Sequence, residues 1–209
     1  MAEIYTVKRA VGIIRAKTGS LGRKLTDTMI KQAIYDSLLN FTLELNEGQL
    51  PELVDSKNIQ VEIDNEILIS DPVELPIDVL KVLSARVKLN FVGLNSIAKI
   101  YELRPVVDKN DFFNNIRSTP QQYDDIFYLV EGSEIYVQLG ENAVRRFGNN
   151  LDVFEITLKY FRRPGYPAND SDKIDYPDRY MPQIIALAIK QLAPELAQSQ
   201  LKEDKGEGK

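Results

Sequence analysis

The sequence predicts an α+β fold: a helical bundle formed by N- and C-terminal helices, with an antiparallel β-rich insertion between them. Two observations predict it. At both ends of the 209-residue chain, apolar residues recur three or four positions apart, the period of a half-buried helix. In the middle they alternate with polar residues, the period of a strand with one face on a core. Helices, then strands, then a closing helix is the order of an α+β chain, whereas α/β folds interleave the two.

The elements follow in chain order. Ile4, Val7, Val11 and Ile14 make one apolar stripe, and Gly19 and Gly22 break the helix that carries it. Thr26 or Asp27 caps a second helix with Ile30, Ile34, Leu38, Phe41 and Leu45 on its apolar face, closed by Asn46 and Gly48. Ile59, Val61 and Ile63 alternate in a strand that turns at Asp64–Asn65 into Ile67 and Ile69. A further strand puts Leu83, Ala85, Val87 and Leu89 inward and Ser84, Arg86 and Lys88 outward. Asp108 to Ile116 is a short helix or an ordered loop. Phe127 and Leu129, then Ile135, Val137 and Leu139, flank Glu131–Gly132–Ser133 as a hairpin. Residues 153–161 form another strand, with Phe154, Ile156, Leu158 and Tyr160 on one face. Tyr176–Pro177–Asp178 and Pro182 start the closing helix, whose stripe is Ile184, Ile185, Ala188 and Leu192, and Pro194 ends or bends it. The resulting division is an N-terminal helical segment over 1–56, a β-rich insertion over 57–174, a C-terminal helix over 175–196 and a flexible tail over 197–209, the last because LKEDKGEGK has almost no apolar content.

Composition removes several function classes. There is no His and no Cys. The commonest general base, the thiol nucleophile and most zinc ligands are therefore missing, and any enzyme would rest on carboxylates and lysines. No apolar run approaches the roughly 18 residues that span a bilayer, and Lys8 and Arg9 interrupt the place where a signal peptide needs its apolar stretch. The net charge is −5. In residues 1–24, the six cations Lys8, Arg9, Arg15, Lys17, Arg23 and Lys24 face only Glu3, a balance of +5, so the remainder carries −10. An acidic body argues against gripping duplex DNA, which needs clustered Lys and Arg. The basic segment reads either as a dock for an acidic partner or nucleic acid, or as a solvated helix face.

Motifs of chemistry do not hold up. Lys17–Thr18–Gly19–Ser20 has the wrong order for a phosphate loop and lacks the Ser-x-x-Lys partner of penicillin-recognising enzymes. Asp170, Asp172 and Asp175 lack the later Gly and Glu of a calcium loop. Asp124, Asp125, Glu131 and Glu134 have nothing that sets them across a sugar cleft. No catalytic, cofactor-binding or metal-binding residue is assigned. Arg162–Arg163–Pro164–Gly165–Tyr166–Pro167 is more distinctive: Arg162, Arg163 and Tyr166 suit a contact with a neighbouring subunit or with passing DNA, against the plainer reading of an exposed loop.

Four segments together carry a resemblance. They are Leu75–Pro76–Ile77–Asp78–Val79–Leu80–Lys81–Val82, then Thr119–Pro120–Gln121–Gln122–Tyr123, then residues 154–164 (an apolar–aromatic strand running into a Pro turn), then Asp175–Tyr176–Pro177–Asp178–Arg179–Tyr180 before the closing helix. In this order, from about Asp71 to Ala193, the chain resembles head-to-tail connector (adaptor, or ring) proteins of tailed double-stranded DNA phages. The flavour is that of short-tailed phages, including the ring proteins of crAss-like phages. The resemblance implies a non-enzymatic virion protein of the tail or neck region, made and assembled in the host cytoplasm. It implies a homo-oligomeric ring, usually of twelve copies, between portal protein and adjacent tail or ring proteins. Genomic DNA would pass its channel without sequence-specific binding, and neither a cofactor nor a membrane partner is expected. Flexible tails in this family dock on neighbours, which nominates Leu201 and Lys202 beside the basic N-terminal residues. The alternatives are a tail-completion or neck protein and, in another class, a nucleic-acid-associated module.

Overall fold

The computed structural model describes residues 5–22, 24–62, 69–90, 98–115, 126–140 and 153–204. The fold is α+β, and the chain divides into two units: Met1–Leu53 with Arg163–Lys209, and Val54–Arg162.

The first unit is helical. Helix α1 spans Val7–Gly22, with Val7, Ala10, Val11 and Ile14 buried. Ile4 lies outside the described residues. The chain leaves helical geometry at Gly19 (φ 62°, ψ −137°), a left-handed conformation open to a residue without Cβ. Helix α2 spans Asp27–Glu44, and its cap is Thr26, whose side chain accepts from the Met29 N–H. Ile30, Ala33, Ile34 and Leu38 are its buried face, while Phe41 and Leu45 are only half-buried. Gly48 does not close the helix in a left-handed conformation. Instead Asn46 and Gln49 exchange two side-chain-to-backbone hydrogen bonds just beyond its end, of 3.1 and 3.2 Å. Helix α3 spans Met181–Asp204, entered through a tight turn at Asp178–Tyr180. Pro182 sits in its first turn, where a missing N–H costs nothing. Pro194 lies inside the helix and does not end it, leaving the Lys190 carbonyl without its helical donor. The backbone is helical through Asp204, well into the segment read from sequence as tail. The three helices pack on one another through Ile30, Ile34, Leu38, Met181, Ile184, Ile185, Ala188 and Leu192.

Residues 163–174, grouped with the strands by sequence pattern, belong to this helical unit. Their backbone is stitched to the start of α1: Val7 N–H donates to Asp172 O, Lys8 N–H to Asp170 O and Ile174 N–H to Tyr5 O, all 3.0 Å. The first two of these bonds satisfy donors that the first turn of a helix leaves open.

The second unit is two four-stranded sheets. One has the order β1–β8–β3–β4, from Val54–Glu62, Val153–Arg162, Val79–Asn90 and Ala98–Glu102, all antiparallel. The other has the order β2–β7–β6–β5, from Val73–Glu74, Glu134–Leu139, Ile126–Glu131 and Arg104–Pro105. Its β5–β6 pair is parallel, a departure from the antiparallel expectation. The sheets pack face to face: Val61, Ala85, Val87, Ile156 and Leu158 meet Ile126, Tyr128, Ile135, Val137 and Leu139. Ile156 and Leu158 have no exposed surface, so cutting either to Ala would cost about 2–5 kcal/mol.

The alternation predicted for β3 holds over Ala85, Arg86 and Val87 and fails before Ala85; the side chains of Lys88 and Leu89 lie outside the described residues. Register shifts fall between Val79 and Lys81 and between Val82 and Ser84. The extra residue at each bulge resets the phase. Val79 and Val82 therefore pack on the core, and Leu83 takes the bulge. The second sheet also buries its outer face. Phe127 and Leu129 pack there with Ile69 and Phe112. Phe112 is delivered by a single π-helical turn at Asp111–Asn115, which resolves the choice between helix and loop. The turn predicted at Asp64–Asn65, together with Ile63 and Ile67, lies outside the described residues, as does Thr119–Tyr123.

Candidate assembly surface

In the double-arginine segment, Arg162 ends β8, and Arg163 is the first residue of the chain's second stretch in the helical unit. Arg163 is exposed, and Pro164 behind it is buried. Tyr166 is 44% exposed, and its ring meets Tyr35 of α2 edge-on at 5.3 Å. The segment is anchored as well as exposed. Gly165 N–H donates to Asp175 Oδ2, and Lys31 Nζ donates to Ala168 O at 2.8 Å while pairing with Asp170 at 2.7 Å. That contact raises the Lys31 pKa and lowers that of Asp170.

The basic N-terminal residues are spread around α1. Lys8, Arg9 and Lys17 are exposed, with Arg9 also lying over the Tyr5 ring at 4.8 Å. Arg15 is committed internally, donating to Asp27 Oδ1 at 2.6 Å and to Leu25 O at 3.3 Å across the α1–α2 connection. Lys24 is exposed on that connection, and Arg23 lies outside the described residues. Leu201 and Lys202 fall on the last helical turn of the α3 backbone. The structure brings Lys8, Arg9 and Lys17 together on one element and does not gather all the nominated residues into one site.

The groups weighed for chemistry have structural employment. Thr18 Oγ1 donates back to Ile14 O at 2.8 Å, beside the Gly19 break. Glu131 holds Lys109 through both carboxylate oxygens (2.8 and 2.7 Å), and Tyr136 OH donates to Glu134 at 3.0 Å. Asp124 and Asp125 lie outside the described residues. Among the described residues, no group of three acidic, His or Cys side chains is placed to hold a metal ion, and no helix is long and apolar enough to cross a membrane. An open groove of about 590 Å³ runs between α2 and α3, lined by Ser37, Asn40, Leu43, Glu44, Leu187, Lys190 and Gln191. Ser37 there donates to Gln191 Oε1 at 3.4 Å, an amide oxygen that does not act as a base. Gln138 Oε1 is a buried acceptor without a hydrogen-bond partner among the described residues, and it lies within the second sheet near Phe127 and Ile69.

Sequence reasoning missed a third surface. The β6–β7 hairpin turns at Gly132 (φ 62°) and Ser133. Leu75 N–H donates to Ser133 O at 2.8 Å, which ties the segment after β2 to one side of this tip. On the other side Val106 N–H donates to Tyr128 O, and Lys109 grips Glu131. Three apolar side chains stand out at this end: Ile77 is 97% exposed, Val107 96% and Val130 37%. The segments that carry them hold Glu74, Asp78, Asp108, Asp111, Glu131 and Glu134, with Lys109 the one cation; Asp78 among these is half-buried and accepts from Tyr160 OH. The available signal was Ile77 directly after Pro76 in a turn, where a core residue would be out of place.

No protein-family model matches the chain, and no curated protein sequence matches it.

Proposed function

We propose that this chain is a structural subunit of a tailed-phage virion, a head-to-tail connector that assembles into a ring between portal and tail and surrounds the DNA path. The observation that carries the reading is the division of the chain. Helices from both ends build one unit, and one continuous stretch between them builds the β unit, the arrangement that the connector resemblance implies. Surface chemistry supports it: the exposed features are apolar and charged patches, suited to side-by-side contacts. A ring of about twelve copies uses heterologous interfaces that close by rotation, so each copy needs two different complementary surfaces and no reactive pocket. The acidic body suits a channel along which DNA slides, because like charge opposes adhesion.

Electron microscopy of the purified chain, alone and with a portal ring, tests this. A ring with a central channel is the expected result. A chain that stays monomeric in both conditions and turns over a small molecule overturns it. A second reading, a nucleic-acid-associated module, draws on the cations of α1. It predicts binding by the monomer that falls steeply with salt.

A further inference from the structure

We propose that the hairpin tip of the β unit docks onto the exposed face of helix α1 in a neighbouring copy, forming the repeating contact of the assembly; this rests on the ring reading above. Two surfaces of the chain fit each other. The first is the tip. Ile77 and Val107 are almost wholly in water, with Val130 between their segments. Such side chains gain by being covered. Their surroundings are acidic: six carboxylates against Lys109 leave a balance of −5 in Val73–Asp78, Val106–Asp111 and Val130–Glu134.

The second surface is the outward face of α1. Val7–Gly22 contains no Asp or Glu. Its buried side is taken by Val7, Ala10, Val11 and Ile14, and its exposed residues include Lys8, Arg9, Gly12, Ala16 and Lys17. Gly12 and Ala16 are four apart and share a side of the helix. A Cβ built at Gly12 meets nothing within 4 Å, so the backbone is open to close approach. A low, smooth strip flanked by cations matches an apolar centre flanked by carboxylates. Complementary charge sets partner and register more than it adds affinity, and the apolar centre supplies the area. Because tip and helix are different surfaces of the same chain, the contact is head-to-tail, as ring closure requires.

The test uses two charge-reversed full-length chains: Glu74→Lys with Glu131→Lys and Glu134→Lys, which takes the tip segments from −5 to +1, and Lys8→Glu with Arg9→Glu and Lys17→Glu, which takes the exposed cations of α1 from +3 to −3. Assembly is followed by sedimentation velocity, and folding is checked by circular dichroism. Each variant alone should need at least about tenfold more protein to assemble than the wild type. Mixed one to one, they should assemble again, since each reversed surface then finds its opposite on the other chain. Ile77→Ser with Val107→Ser should weaken assembly with no change in fold, these side chains having almost no buried surface to lose. If the wild type assembles and both reversals assemble as well as it does, the docking is wrong and the ring reading stands. Folded variants that fail alone and also fail when mixed overturn it too. A helix variant that loses DNA binding while assembling normally assigns that face to nucleic acid and overturns the docking. A wild-type chain that never assembles overturns both.

Discussion

At the scale of single residues, the helical unit depends on polar contacts that hydrophobic period does not encode. Tyr176 OH lies 3.0 Å from Thr42 Oγ1, and Thr42 also donates to Leu38 O at 2.7 Å. Thr42 is fully buried, and burial raises the Tyr176 pKa. With the Thr42 proton spent on Leu38, the Tyr176 hydroxyl is the donor. The two deletions are then unequal. Tyr176→Phe removes a donor whose acceptor keeps its other bond, and should cost about 0.5–1.5 kcal/mol. Thr42→Val strands the buried phenol and should cost about 1–3 kcal/mol. Urea unfolding of both variants checks the order, and equal losses would contradict the assignment of the donor. These partners are 134 positions apart. The sequence marks Tyr176 as part of a helix-start motif, but no local pattern names Thr42 as its partner. The reverse holds at Thr26, where a hydroxyl three residues before a helical N–H is a local signal, and the cap is found where it was expected.

At the scale of elements, what was legible is what local period controls. The stripes of α1, α2 and α3 and the hairpin at Gly132 follow from spacing and turn chemistry alone. The β3 bulges and the parallel β5–β6 pair were not legible, because register is set by the partner strand and a two-residue strand has no period to read. Gly132 tests the turn. Its φ of 62° is left-handed and its Cβ direction is open, so Gly132→Ala carries only the backbone penalty, about 1–2 kcal/mol. Thermal unfolding should show that loss, and a smaller one for Gly132→Asn, since Asn tolerates this region. The junction after α2 tests electrostatics. Arg179 forks onto Glu52 at 2.5 and 2.9 Å and reaches Gln49 O at 3.1 Å, pinning the turn at Pro51–Leu53 to the start of α3. The Arg179 hydrogen bonds hold the Glu52 carboxyl below its ordinary value of 4.5. A lowered carboxylate pKa stabilises the folded state above the unfolded value and loses that stabilisation as pH falls through the folded one. Stability measured from pH 6 downward should therefore drop more in the wild type than in Glu52→Gln below about pH 4.5. Parallel curves would mean that the pair is screened out in solution.

At the scale of the whole molecule, the question is which parts fold and which parts join. The last buried side chain described in α3 is Leu192, and the helical backbone runs on to Asp204. Sequence pattern ended the helix near Pro194 because proline is unfavourable in a helix interior. It had no means of weighing thirteen upstream helical residues, five of them buried in the core, which make extension past one proline cheap once nucleation is done. The segment from Leu201 carries LKEDKGEGK, too polar to contribute a core of its own. Removing Leu201–Lys209 should leave the midpoint and steepness of thermal unfolding unchanged, because every core residue named above is retained. In the connector reading the same truncation should weaken docking on a portal ring, measured as a rise in the protein concentration needed to decorate it. The two readouts separate folding from joining. A lowered midpoint would mean that the end of α3 packs as part of the folded unit. Unchanged docking would leave the contacts between copies, through the tip and α1, to hold the subunit in place.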